Sequence, residues 1–197
     1  MKKIILSALA AFFMVSSAYA DTVRMGTEGA YPPYNFINDN GEVDGFEKDV
    51  GDMLCIRANL DCVWVINEWD SIIPNLVSGN YDTIIAGMSI TAERDEVIDF
   101  TQDYFPPSPS VYMGMSGSDV DLEGGVIAAQ TATIQAGYVA ESGATLVEFA
   151  TAEETISAVQ NGEADAVLAD GDYLASIIAE SGGEFANVGE VSIGGGV

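Results

Sequence analysis

The sequence predicts an α/β protein made of two lobes, and three observations carry that prediction. Residues 73–86 (IPNLVSGNYDTIIA) and 156–169 (ISAVQNGEADAVLA) align without a gap, each position 83 residues from its counterpart. In both copies apolar residues three and four apart lead to a glycine (Gly79, Gly162), an aspartate (Asp82, Asp165) and a short apolar run, the pattern of a helix end, a turn and a buried strand. A helix feeding a buried strand is half of a βαβ crossover, so one unit used twice gives two α/β lobes. Between the copies, Pro106, Pro107 and Pro109 forbid regular structure across 104–110, which places a hinge crossing there. Ligands of open α/β sheets sit beyond the carboxyl ends of the strands, here 86–89 in one copy and Ala169 with Asp170 in the other. Two lobes facing each other would hold a small molecule between those ends.

The elements follow in order. Residues 22–26 read as a strand, 28–36 as a loop rich in aromatics and proline, and Asn40 with Gly41 as a turn before 43–46. Helix is expected over 46–58 and strand over 62–66. Asp70 is placed to cap the next helix, which carries Ile72, Ile73, Leu76 and Val77 and stops at Gly79, and strand 83–86 follows. In the second lobe strands at 126–129, 145–149 and 166–168 alternate with helices at 133–141, 151–161 and 173–180; Thr151 and Glu154 have the spacing of a capping box.

Residues 1–20 carry Lys2 and Lys3, an apolar run over 4–15 and an Ala18-Tyr19-Ala20 site, the pattern of a secretory leader cleaved after Ala20. The run is too short to span a bilayer, so no membrane insertion is expected once the leader is removed. The address is therefore extracytoplasmic, where Cys55 and Cys62, seven apart, are expected to pair. Loop-closure entropy makes such a bridge a local staple of about 2.5 kcal/mol. Two cysteines without any histidine leave no ordinary zinc site, and no metal or cofactor is expected. Without the first 20 residues, Arg24, Lys48, Arg57 and Arg94 face 31 acids, a net charge of −27. That excess argues against nucleic acid as a partner and fits a solvated surface suited to salt. The hydrophobic share of 48% keeps the chain in the globular class.

Five motifs stand out: TEGAYPPYNF at 27–36, GFEKDVGDML at 45–54, the 69–91 stretch from Trp69 through GNYDTIIAGMSIT, ERDEVIDFT at 93–101 and GEADAVLAD at 162–170. Together they resemble the periplasmic solute-binding proteins of ABC transporters for polar amino acids, the family 3 group of lysine/arginine/ornithine, histidine and glutamine binders. The resemblance covers 22–197. It implies a two-lobed Venus-flytrap fold with the C-terminal part of lobe 1 missing: lobe 1 over 21–106, lobe 2 over 107–192 and the start of a return crossing over 193–197. The glycine run at 194–196 also reads as an unfinished end. Lys48 stands where the family usually has an apolar residue, its stem free to lie along the lobe surface.

The resemblance also implies a site. Arg94 clamps the α-carboxylate of a free amino acid, helped by Ser89 and the backbone of Thr133. Asp170 takes the α-ammonium beside the carbonyl of Gly87, and Met88 counts among the ligand-binding residues. Tyr31 and Trp69 sandwich the ligand side chain, and Glu28 meets its far end. Cys55 and Cys62 fall where the basic amino acid binders carry a disulfide. Plainer roles exist for each: a surface ion pair for Arg94, a helix cap for Asp170, core packing for Tyr31 and Trp69, a solvated acid at Glu28. The ligand expected is lysine, arginine or ornithine, delivered to a membrane permease by a monomer. Glutamine or histidine is the alternative ligand. A cyclohexadienyl dehydratase-like enzyme and an exported sensor module are the alternative classes; neither a histidine nor a nucleophile motif supports catalysis.

Overall fold

A computed structural model describes residues 22–197, so the leader read at 1–20 lies outside the described residues. Strand β1 (Val23–Thr27) leads into a small antiparallel sheet of β2 (Ala30–Tyr31), β3 (Asn35–Ile37) and β4 (Val43–Asp44), which orders the loop expected at 28–36. Helix α1 (Phe46–Ala58) starts after Gly45, whose φ of 112° is open only to glycine; a Cβ there would sit 2.5 Å from the Tyr34 carbonyl oxygen. The helix ends at Asn59 in the left-handed conformation, its N–H on the Cys55 carbonyl. Strand β5 (Cys62–Ile66) follows, and Cys55 is bridged to Cys62 with Cα atoms 6.2 Å apart. Lys48 lies over the Trp64 ring at 5.9 Å and pairs with Asp52 one turn on, consistent with a stem held against the lobe surface.

A 3-10 turn (Trp69–Ser71) precedes α2 (Ile72–Val77). Asp70 lies inside that turn and no side-chain cap forms, so the cap expected of it is absent. Strand β6 is shorter than expected, Thr83–Ile84, although the Ile85 N–H still reaches the Gly26 carbonyl at 2.9 Å. A one-turn helix α3 (Ala92–Asp95) closes this part of lobe 1, whose main sheet runs β5-β1-β6, all parallel.

Lobe 2 opens with β7 (Ser110–Met115), then alternates β8 (Val126–Gln130), α4 (Ile134–Ser142), β9 (Thr145–Phe149), α5 (Ala152–Asn161), β10 (Ala166–Asp170), α6 (Gly171–Glu180) and β11 (Phe185–Val191). Its sheet order is β11-β7-β10-β8-β9, with β7 antiparallel to both neighbours. Thr151 and Glu154 form the reciprocal capping box on α5. Strands β7 and β11 have no counterpart in the sequence-based assignment. The core of lobe 2 centres on Met113, Ile127, Ala128, Val167 and Leu168, all without exposure. Where the chain crosses between lobes, Phe105 and Val197 exchange both backbone hydrogen bonds, at 3.1 and 3.0 Å. Gly196 adds a bond from the Ile90 N–H at 2.9 Å.

Candidate functional site

The carboxyl ends of β1, β6, β8 and β10 converge on one narrow cleft, lined by Glu28, Tyr31, Trp69, Ala86, Gly87, Ser89 and Arg94 from lobe 1 and by Gln130, Thr133, Ile134, Gln135 and Asp170 from lobe 2. Eight of the nine ligand-contact residues expected from the sequence line it. The ninth, Met88, turns its side chain into the lobe 1 core with Ile72, Tyr81 and Ala86.

Lobe 1 supplies the cation. Thr91 caps α3 by accepting the Arg94 N–H at 3.2 Å, and this single turn carries the Arg94 side chain back over the strand ends. Its guanidinium donates to the Ser89 carbonyl at 2.8 Å and across the cleft to the Ala132 carbonyl at 3.3 Å. Those two bonds leave three of its five N–H donors for a ligand. Among the described residues Arg94 forms no ion pair, which removes the surface-pair reading; burial is what lowers its pKa. Trp69 lies 5.5 Å beneath the guanidinium and donates its indole N–H to the same Ala132 carbonyl at 3.3 Å. Ala132 holds φ at 56°, a strained conformation for a residue with a Cβ, and so turns its carbonyl towards both lobe 1 donors.

Lobe 2 supplies the acid. Asp170 ends β10 at the start of α6, yet its side chain makes no cap. Its two oxygens instead accept from the Tyr31 hydroxyl at 2.9 Å and the Gln135 amide at 2.8 Å. Burial raises its pKa, opposed by those two donors. Tyr31 stacks face to face on Tyr173 with ring centres 4.1 Å apart, and Arg94 covers one face of Trp69. One face of each aromatic expected to sandwich a ligand is thus already covered.

The far end pairs Glu28 with Gln130. The Gln130 amide nitrogen donates to Glu28 Oε1 at 2.6 Å and to the Ala150 carbonyl at 3.1 Å, an arrangement that fixes which end of the amide faces them. Glu28 is buried, and desolvation raises its pKa. Gln130, Gln135 and Ala132 are absent from the sequence-based site: a neutral amide or a backbone carbonyl leaves no compositional mark.

Comparison with known proteins places this cleft in a family. Residues 23–120 match the bacterial extracellular solute-binding proteins, family 3. A putative ABC transporter arginine-binding protein 2 of Escherichia coli is 32% identical over 175 residues, 86% of this chain and 72% of that protein. The chain belongs to family 3 of the bacterial extracellular solute-binding proteins. An L-arginine-binding protein of Pseudomonas aeruginosa is 34% identical over 182 residues, 86% of this chain and 70% of that one. Among solved structures, a periplasmic His/Glu/Gln/Arg/opine family-binding protein of Silicibacter pomeroyi, in complex with lysine, superposes with a TM-score of 0.86 at 75% identity, covering 89% of this chain and 80% of the other. As in these family members, the fold is two-lobed with mixed α/β sheets. No helix of the described residues is long and apolar enough to cross a membrane.

Proposed function

We propose that this protein binds a free cationic amino acid, lysine, arginine or ornithine, outside the cytoplasm and presents it to the permease of an ABC transporter. The hydrogen-bond inventory at the far end of the cleft carries this reading. Both amide hydrogens of Gln130 are committed to Glu28 and Ala150. The Gln130 carbonyl and the second Glu28 oxygen remain, two acceptors that receive no hydrogen bond among the described residues. An ammonium or guanidinium supplies donors to both and a positive charge to the buried Glu28 carboxylate, whereas a side-chain amide supplies donors alone and leaves that charge unpaired. Relatives described as binding arginine, and a structure in complex with lysine, support the same class.

In this reading Arg94 takes the α-carboxylate through its free donors, with Ser89 and the Thr133 backbone beside it. Asp170, with the carbonyl of Gly87, takes the α-ammonium. Tyr31 and Trp69 flank the ligand stem with their uncovered edges, and Glu28 pairs with the distal charge. The segments around Phe105 and Val197 act as the hinge, and ligand bridging the lobes favours the closed form. The leader is removed after Ala20, the working form is a monomer, and no chemistry is performed on the ligand: the acids face a cationic ligand in a cleft without histidine or an activated nucleophile.

The test is titration of intrinsic tryptophan fluorescence with L-lysine, L-arginine, L-glutamine and L-histidine, with Trp69→Phe as control for the second tryptophan. A saturable response to lysine or arginine alone is expected. A response to glutamine as strong as that to arginine would refute the pairing of a ligand cation with Glu28.

A further inference from the structure

Glu47 has 0% exposure, the least of any charged residue described, and it lies outside the ligand cleft. Among the described residues no cation pairs with it. Such a carboxylate persists in an interior only when donors replace its water, and three do. Asn35 donates its amide to Oε2 at 2.6 Å, the Gly87 N–H reaches Oε1 at 2.6 Å, and the Tyr104 hydroxyl donates to that same Oε1. The second-residue position in α1 adds the favourable field of a helix N-terminus.

The donors come from three segments with one thing in common: each borders the cleft or the crossing between lobes. Asn35 accepts the Gly29 N–H at 2.7 Å with its other end, fixing the peptide beside Glu28. Gly87 is cleft wall. Because its N–H points inward at Glu47, the trans peptide plane turns the Ala86 carbonyl the opposite way, and Ala86 also lines the cleft. Tyr104 belongs to the crossing, where its N–H donates to Val197 at 2.7 Å.

We propose that Glu47 is a positioning residue that ties the lobe 1 wall of the cleft to the segment on which the lobes turn, so that wall geometry and lobe closure are set by one group. It touches no ligand. The inference rests on the binding function proposed above, and its test separates the two. Glu47→Gln turns amide hydrogens towards those of Asn35 and breaks the junction; Asn35→Asp alone sets two carboxylates face to face. The double variant Asn35→Asp/Glu47→Gln exchanges donor and acceptor, and the carboxylate introduced at position 35 still accepts the Gly29 N–H, so every hydrogen bond and the total charge are retained. Tyr104→Phe removes only the hinge arm.

Kd for L-lysine and L-arginine, the melting temperature, and hydrogen exchange of peptides spanning 84–90 and 102–108 would be measured for all five proteins. Glu47→Gln is expected to weaken binding by at least about tenfold, the scale of one lost charged hydrogen bond, and to speed exchange in both peptides. The double variant is expected to restore affinity and exchange together. Tyr104→Phe is expected to speed exchange at 102–108 and to change the rate of ligand-induced fluorescence change. A Glu47→Gln protein that melts lower yet binds with unchanged Kd, or a double variant no better than the single, would reduce Glu47 to a packing role. If Glu47→Gln does not fold, Tyr104→Phe with unchanged kinetics and exchange overturns the proposal. Failure of the unsubstituted protein to bind either amino acid would strike the proposed function, while the exchange data would still decide on Glu47.

Discussion

The two copies of the helix–turn–strand unit share their scaffold and part company where the strand ends. Gly79 and Gly162 adopt nearly the same left-handed conformation, φ 76° and 74°. The aspartate three residues later does the same work in each: Asp82 accepts the Arg24 N–H and Asp165 the Val126 N–H, both at 2.8 Å, pinning the start of the neighbouring parallel strand. Counting along those strands, Glu28 and Gln130 occupy equivalent places, and they meet across the cleft at 2.6 Å. Beyond the strand, the first copy continues into Gly87, backbone alone, and the second into Asp170, a carboxylate. Repetition builds the frame, and the few unmatched positions make the two walls complementary, one offering Arg94 and peptide groups, the other an acid.

The largest effect should fall on that unmatched pair. Asp170→Asn removes the charge opposed to an α-ammonium and is expected to weaken L-lysine binding by about 3 kcal/mol, more than a hundredfold, in calorimetric titration. Gly87→Ala at the equivalent position has room for its Cβ, 3.9 Å from Tyr31, and strains only a φ of 62°. It should cost about 1 kcal/mol of stability and leave affinity nearly intact. Equal losses of affinity at both would abolish the distinction drawn between the walls.

Next come the pinning aspartates. Asp165→Ala orphans the Val126 N–H at the head of β8 and is expected to cost about 1–2 kcal/mol in urea denaturation. Asp82→Ala orphans the Arg24 N–H in the same way, and the ion pair it also breaks, with an Arg24 side chain about 41% exposed, adds little, so the two losses should be similar. Gly79→Ala and Gly162→Ala meet no neighbouring atom within 4 Å, so both should lose the same conformational strain of about 1 kcal/mol. Unequal losses would show that the copies differ in the turn itself.

The smallest effect is one of pH. The hydrogen bond and charge of Arg24 hold the Asp82 carboxyl down to about 2 from an ordinary 3.8. A lowered carboxyl contributes stability above its unfolded value and loses it as pH falls towards its folded one. Thermal melts of Asp82→Asn between pH 4 and 2 should therefore show a shallower decline than those of the unsubstituted protein, and an Asp165→Asn series supplies the comparison from the other copy.

Much of this was legible in the residues, for reasons that also explain the rest. Helix α1, strands β5 and β9 and the capping box of α5 match because each depends on local periodicity or a short-range cap. Strand β7 has five of six residues buried and no polar alternation to betray it, and it begins one residue after the proline cluster. Strand β11 shifts register between Asn187 and Gly189, which breaks its alternation. In the site, the charged and aromatic residues were readable because bases are scarce and a likeness to known binders assigned them. Gln130 and Ala132 were not, because their roles arise only when one lobe faces the other, nor were Gln135, a neutral amide bonded within lobe 2, and the inward turn of Met88, which packing within lobe 1 decides.

The central claim is that lobe 1 takes the carboxylate and lobe 2 the α-ammonium of one ligand whose distal cation reaches Glu28. Calorimetric titration with L-lysine, cadaverine, which lacks the carboxylate, and 6-aminohexanoate, which lacks the α-ammonium, tests it most directly. The account predicts saturable binding of lysine and a loss of at least about a hundredfold for each analogue, the scale of an unpaired buried charge. Cadaverine or 6-aminohexanoate binding as tightly as lysine would contradict it.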